Sequence, residues 1–169
     1  MALPHLIAHR AVRAFQDTPV PTSLVEQVID TARWTGSARN RQPWRFVAVA
    51  DADTKQLLSR FGAYASHLAD APLVLVVLSP TERGLDTEFD VGRVVQSVVL
   101  VATEAGLGCG VVSLYPDEHS RAAADLVDAG AEWSARHAIA LGWPGPPPKG
   151  GTLAVPAGRL PLAELLSFR

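Results

Sequence analysis

Apolar residues along this chain switch between two periods, and the switches divide it into helices and strands. Leu3 to Arg13 predicts a first helix, with His9, Arg10 and Arg13 toward its end. Leu24, Val25, Val28, Ile29 and Ala32 recur at the spacing of one helix face. Ser23 and Glu26 have the spacing of a capping box at its start, and Gly36 is placed to stop it. Phe46 to Ala50 reads as a strand, followed by Asp53 and Gln56 in the spacing of another helix cap. Leu73 to Leu78 is a continuous apolar run that suits a strand buried on both faces. Val91, Val94, Val95, Val98, Val99 and Ala102 then follow the helical period through Val91 to Ala105, with Gly106 to end it. β-Branched residues are modest helix formers, so packing must hold this helix. A helix apolar this far round is central, or shared with a second subunit. Cys109 to Leu114 predicts a strand, Ser120 to Asp128 a helix and Ala138 to Gly142 a further strand. Residues 143–159, rich in Pro and Gly, are expected to form an extended arm before a short apolar finish, Leu160 to Phe168. Strands interleaved with helices, without a tandem repeat, indicate one domain over residues 1–169, an α/β or α+β sandwich.

Composition narrows the function classes. The chain has 169 residues, 15 Lys plus Arg against 17 Asp plus Glu, and a formal charge of −2. That balance gives no electrostatic argument for nucleic acid or an acidic membrane. The apolar runs fall short of the ~20 residues a membrane helix needs. Its one cysteine, Cys109, excludes an internal disulfide framework and suits a reducing cytoplasm. Apolar neighbours favour an inert buried thiol there.

Metal and nucleophile motifs are absent. His5, His9, His67, His119 and His137 show no ligand spacing, and no Gly-x-Ser-x-Gly elbow occurs. Gly106, Gly108 and Gly110 follow a helix and enter a strand, the reverse of a dinucleotide fingerprint, and read as a helix terminator and close-packing positions. What remains is a polar loop and scattered arginines. In the stretch Ala38 to Arg45, Pro43 is expected to hold Gln42 extended and Trp44 to anchor the turn in the core. Asn40 and Gln42 would then present donors and acceptors to the edge of a planar ligand, although such a loop also serves as a plain connector. Arg10 and Arg13 would lie one helical turn apart, as a phosphate clamp or as a solvated face. Nothing in the spacing brings Arg159 to them.

The segments HRAVRAF, SARNRQPWRFVAVAD, DVGRVVQSVVLVATEAGLGCG and ALGWP, in that order, resemble the FMN-dependent nitroreductase family over nearly the whole chain. The resemblance implies an α+β fold, a three-layer α-β-α sandwich with a small mixed, mostly antiparallel sheet. It implies a homodimer in which the long central helix packs at the interface and the 143–159 arm reaches the partner subunit. FMN would lie in grooves built by both subunits, with NADH or NADPH as electron donor and a nitroaromatic, quinone or similar small molecule as acceptor. Carried over by motif, Arg10 and Arg159 would bind the FMN phosphate, and Arg13 would face the pyrimidine edge. Ser37, Asn40 and Gln42 would lie along the ribityl chain and ring, and backbone groups near Ser113 and Leu114 would meet the central ring. No protein side chain need be catalytic, because the flavin carries the chemistry. The chain departs from the family pattern at His9, Ala11, Gly36, Ala38 and Ser97, and its middle between Leu78 and Asp90 is short. Arg39 and Arg41 are left without a role. Two other readings share the resemblance: an FMN-dependent dehydrogenase or oxidase of a natural product, and a flavin-binding protein without turnover.

Overall fold

Two apolar clusters on opposite faces of one sheet organise the chain. The computed structural model describes residues 3–84, 86–146 and 158–169. Its helices are α1 (Leu3–Ile7), α2 (Thr22–Ala32), α3 (Ala52–Leu58), α4 (Thr87–Glu104), α5 (Asp117–Leu126) and α6 (Leu162–Leu165). Its strands are β1 (Arg45–Val49), β2 (Leu73–Pro80), β3 (Gly108–Ser113) and β4 (Trp133–Gly142). They form a sheet of order β1-β2-β4-β3 in which every pairing is antiparallel.

The period-two alternation of β2 and β4 splits the core. Val74, Val76, Leu78, Ala138 and Ala140 pack with Leu58 of α3 and Ala123 of α5. Leu73, Leu75, Val77, Ile139 and Leu141 pack with Val28 of α2 and Val91, Val98 and Ala102 of α4. The result is a three-layer α-β-α sandwich, as the resemblance implies. The valine stripe of α4 is buried within the single chain, with Val91, Val94 and Val98 fully covered. The face left open carries Phe89, Gly92, Arg93 and Gln96 instead. A second subunit is therefore not needed to bury the valines.

The first helix is shorter than its pattern predicts. It ends at Ile7, and residues 9–14 are not helical, so Arg10 and Arg13 are not one helical turn apart. The chain runs instead along the edge of β3 and the end of β4. Val12 N donates to Cys109 O at 2.8 Å, and Gln16 N to Trp143 O at 2.9 Å. Glycines make this approach possible. A Cβ on Gly108 would sit 2.7 Å from the Val12 side chain, and one on Gly110 would sit 2.6 Å from Val12 O. The reading of these glycines as close-packing positions holds, and Gly106, at φ 85°, closes α4 in the left-handed region.

Two helix starts also differ from expectation. The capping box at Ser23 does not form, because α2 starts at Thr22 after Pro21, whose carbonyl accepts from Leu24 N and Val25 N. At α3, Asp51 rather than Asp53 is the cap, accepting from Thr54 N at 2.8 Å. Within the arm, residues 147–157 lie outside the described residues, so its extended form is not described there. Its first residues dock, with Pro144 bridged to Phe15. Among the described residues no helix is long and apolar enough to cross a membrane.

Candidate functional site

The polar loop after α2 is held by its own side chains. Ser37 Oγ accepts from Gln42 N at 2.9 Å, and Asn40 Oδ1 accepts from Gln42 Nε2 at 3.2 Å. Ala38 N donates to Asp90 Oδ2 of α4 at 2.8 Å, and that carboxylate is buried. Arg39, Asn40 and Gln42 take φ values of 52°, 55° and 49°. Gln42 is thus left-handed rather than extended, because the bond to Ser37 outweighs the extended preference that Pro43 imposes. Strained backbone of this kind persists where surroundings over-determine it. Trp44 is buried, as expected of an anchor. Arg41 finds a partner the sequence did not offer, an ion pair with Asp86. That hydrogen bond raises the guanidinium's pKa and lowers the carboxyl's. Arg39 forms no ion pair among the described residues.

Arg10 and Arg159 come together although they stand near opposite ends of the chain. Both line a cavity of about 580 Å³, with Pro4, Ile7, Ala8 and Gly158. Arg10 also borders a smaller cavity of about 150 Å³ that reaches Gln96 and Thr103 of α4. Gln96 in turn lines an open groove of about 650 Å³ shared with Thr35, Gly36, Phe89 and Arg93. Shared lining residues therefore connect the two arginines, along the open face of α4, to the start of the polar loop.

Arg13 is not among the residues that line these three cavities. It is exposed, and its charge acts on His67, which is buried under the β3 edge with Nε2 against Gly110 and without a well-aligned hydrogen bond. Burial, then the Arg13 charge, lower the His67 pKa. A group whose folded pKa lies below its unfolded value of about 6.5 stabilises the fold above that pH and loses the contribution as pH falls. Urea midpoints are thus expected to drop between pH 7.5 and 5.5, and less so in His67→Gln; equal drops would remove His67 as the cause.

Ser113 and Leu114 end β3. The Leu114 side chain is buried, and its N–H is committed to Arg136 O at 2.8 Å, so it has no N–H to give a ligand. Ser113 is exposed and bonded through Oγ to His137. Beside it lies a polar cluster that sequence reading missed. Arg136 donates to Ser79 Oγ at 2.8 Å and to Pro80 O at 3.2 Å, and faces Glu88 at 3.7 Å. Burial lowers the Arg136 pKa. No spacing motif links Ser79, Glu88, Arg136 and His137, because strand register and the packing of α4 on the sheet bring them together. Burial pushes the Cys109 thiol up to about 12, which fits the inert reading. No group of three or more metal-ligating side chains occurs among the described residues.

The chain is thus a three-layer α-β-α sandwich in which arginines from near both ends line one cavity. The Nitroreductase family model matches residues 6–65. An NADH dehydrogenase of Thermus thermophilus is 35% identical over 79 residues, covering 47% of this chain and 38% of that protein. A protein of Methanothermobacter thermautotrophicus, named as an NADH dehydrogenase/NAD(P)H nitroreductase, is 28% identical over 112 residues, covering 64% and 59%. The matches thus span less than two thirds of either relative. A Desulfovibrio desulfuricans structure solved in complex with FMN shares the fold at a TM-score of 0.81 and 23% identity, over 100% of this chain and 97% of that one. The nitroreductase-family resemblance read from the sequence is borne out, and the fold is the nitroreductase fold.

Proposed function

We propose that the protein is an FMN-dependent oxidoreductase that takes hydride from NADH or NADPH and passes it to a small acceptor such as a nitroaromatic or quinone. The observation that carries this reading is the convergence of Arg10 and Arg159 on one cavity. Two guanidinium forks suit a phosphate, and neither arginine forms an ion pair with a carboxylate among the described residues. The donor set fits FMN. Arg10 and Arg159 hold its phosphate, and Arg13 supplies positive charge toward the pyrimidine edge. Ser37, Asn40 and Gln42 line the ribityl chain and ring, with Ser113 backbone at the central ring. Bound FMN supplies reversible hydride storage, and the chain orients donor and acceptor over it. The active form is a homodimer that pairs the open face of α4 with its copy, so each cofactor meets both subunits.

Purified protein is expected to be yellow, to retain about one FMN per chain by absorbance, as a single site implies, and to bleach with NADH or NADPH under anaerobic conditions. Sedimentation should give a dimer. Colourless protein that does not reconstitute with FMN would overturn the reading.

A further inference from the structure

A side-chain chain crosses three elements beside the proposed cofactor position. Ser113 Oγ of β3 lies 3.3 Å from His137 Nδ1 of β4, its partner in strand register. His137 Nε2 lies 3.4 Å from Glu88 Oε2 of α4. The other Glu88 oxygen accepts from Ser79 Oγ at 3.4 Å and faces Arg136 at 3.7 Å. Charges on Arg83, Asp117 and Arg121 act on Arg136 in turn, so the carboxylate sits in a mixed field with cations beside it.

The donor inventory fixes the direction of these bonds. An ionised carboxylate only accepts, so His137 Nε2–H donates to Glu88. In the neutral ring, Nδ1 then accepts the Ser113 O–H. In the protonated ring, Nδ1–H donates to Ser113 Oγ, and the serine proton is free to point outward. Ser113 is exposed, and His137 and Glu88 are 30% and 36% exposed, so the chain opens to solvent for refilling.

We propose that Glu88, His137 and Ser113 form a proton-supply chain for the acceptor, with Ser113 Oγ–H as the donor, His137 as its source and Glu88 as the positioning residue. This rests on the functional reading above, which sets Ser113 beside the cofactor. A quinone that took up a hydride there would need a proton on its second oxygen. Ser113 gives that proton and takes one from His137 Nδ1. Nδ1 of the neutral ring then accepts from the Ser113 hydroxyl and is reprotonated from water, while Nε2–H stays on Glu88. Atoms and charge balance, and no further redox partner is required.

The test uses the FMN-loaded protein with NADH and two acceptors. Benzoquinone takes up protons with its electrons, whereas ferricyanide takes electrons alone. In Ser113→Ala and in His137→Asn, the ratio of benzoquinone to ferricyanide turnover is expected to fall at least about tenfold, the low side of general-acid effects. Ser113→Thr, which keeps the hydroxyl, should restore it. A ratio unchanged in both variants, including an equal fall with both acceptors, would overturn the proposal. A second readout needs no turnover. ¹⁵N shifts of neutral His137 should report the Nε2–H tautomer in the wild type and lose that preference in Glu88→Ala. An unaltered tautomer would remove Glu88 from the chain. Failure of the wild type to bind FMN would instead sink the functional reading, and titration shows that separately.

Discussion

Replacing Arg10 and Arg159 together by alanine is expected to strip FMN from the protein during gel filtration while leaving it folded. The two side chains line one cavity and are exposed in the chain, so neither holds the core together. A hydrogen bond to a charged group contributes about 1.5–3 kcal/mol, roughly ten- to a hundredfold in affinity for each single variant. Fluorescence titration with FMN and with riboflavin separates the causes. Affinity for FMN should fall in both single variants, and affinity for riboflavin, which has no phosphate, should hold. Equal losses for both ligands would mean that the arginines shape the cavity and do not read the phosphate.

Ile139→Ala is expected to produce the largest loss of stability. Ile139 is fully buried in the middle of β4, in register with Leu75 of β2 and Val111 of β3, beneath α4. Removing such a side chain costs about 2–5 kcal/mol, from lost transfer energy and the cavity left behind. That is a large part of a typical total of about 5–15 kcal/mol. Urea unfolding should show a clear fall in midpoint with little change in slope. Val111→Ala, on the same face but exposed on the edge strand β3, should shift the midpoint far less. Similar shifts for the two would mean that burial beneath α4 does not set the size of the loss.

Elements set by local pattern were legible in the sequence. The apolar run from Leu73 lies within β2, the valine stripe lies within α4, and the strands starting near Phe46 and Cys109 fall within a residue of their expected bounds. The misreadings arise where a longer-range or competing local bond wins. Helical spacing after Ile7 is overridden by pairing with β3 and β4, a contact between distant segments. Ser23 lost its capping role to a helix that starts one residue earlier, and Gln42 lost its extended form to a hydrogen bond with Ser37. The pairing of Arg10 with Arg159 had no signature in spacing, and it came only from the resemblance. The Ser113–His137–Glu88 chain was invisible because it depends on β3 lying beside β4 and on the direction of α4.

The glycines at 108, 110, 142 and 145 let the segment around Val12 to Gln16 run against the sheet by backbone contact. The placement of that segment therefore depends on the missing side chains at these glycines, with the Val12 and Phe15 side chains filling space that a Cβ would take. Residues 9–11 are exposed and form a cassette that can be rewritten without repacking the core. One methyl group on the glycine rail, as in Gly108→Ala, would instead move the whole cassette.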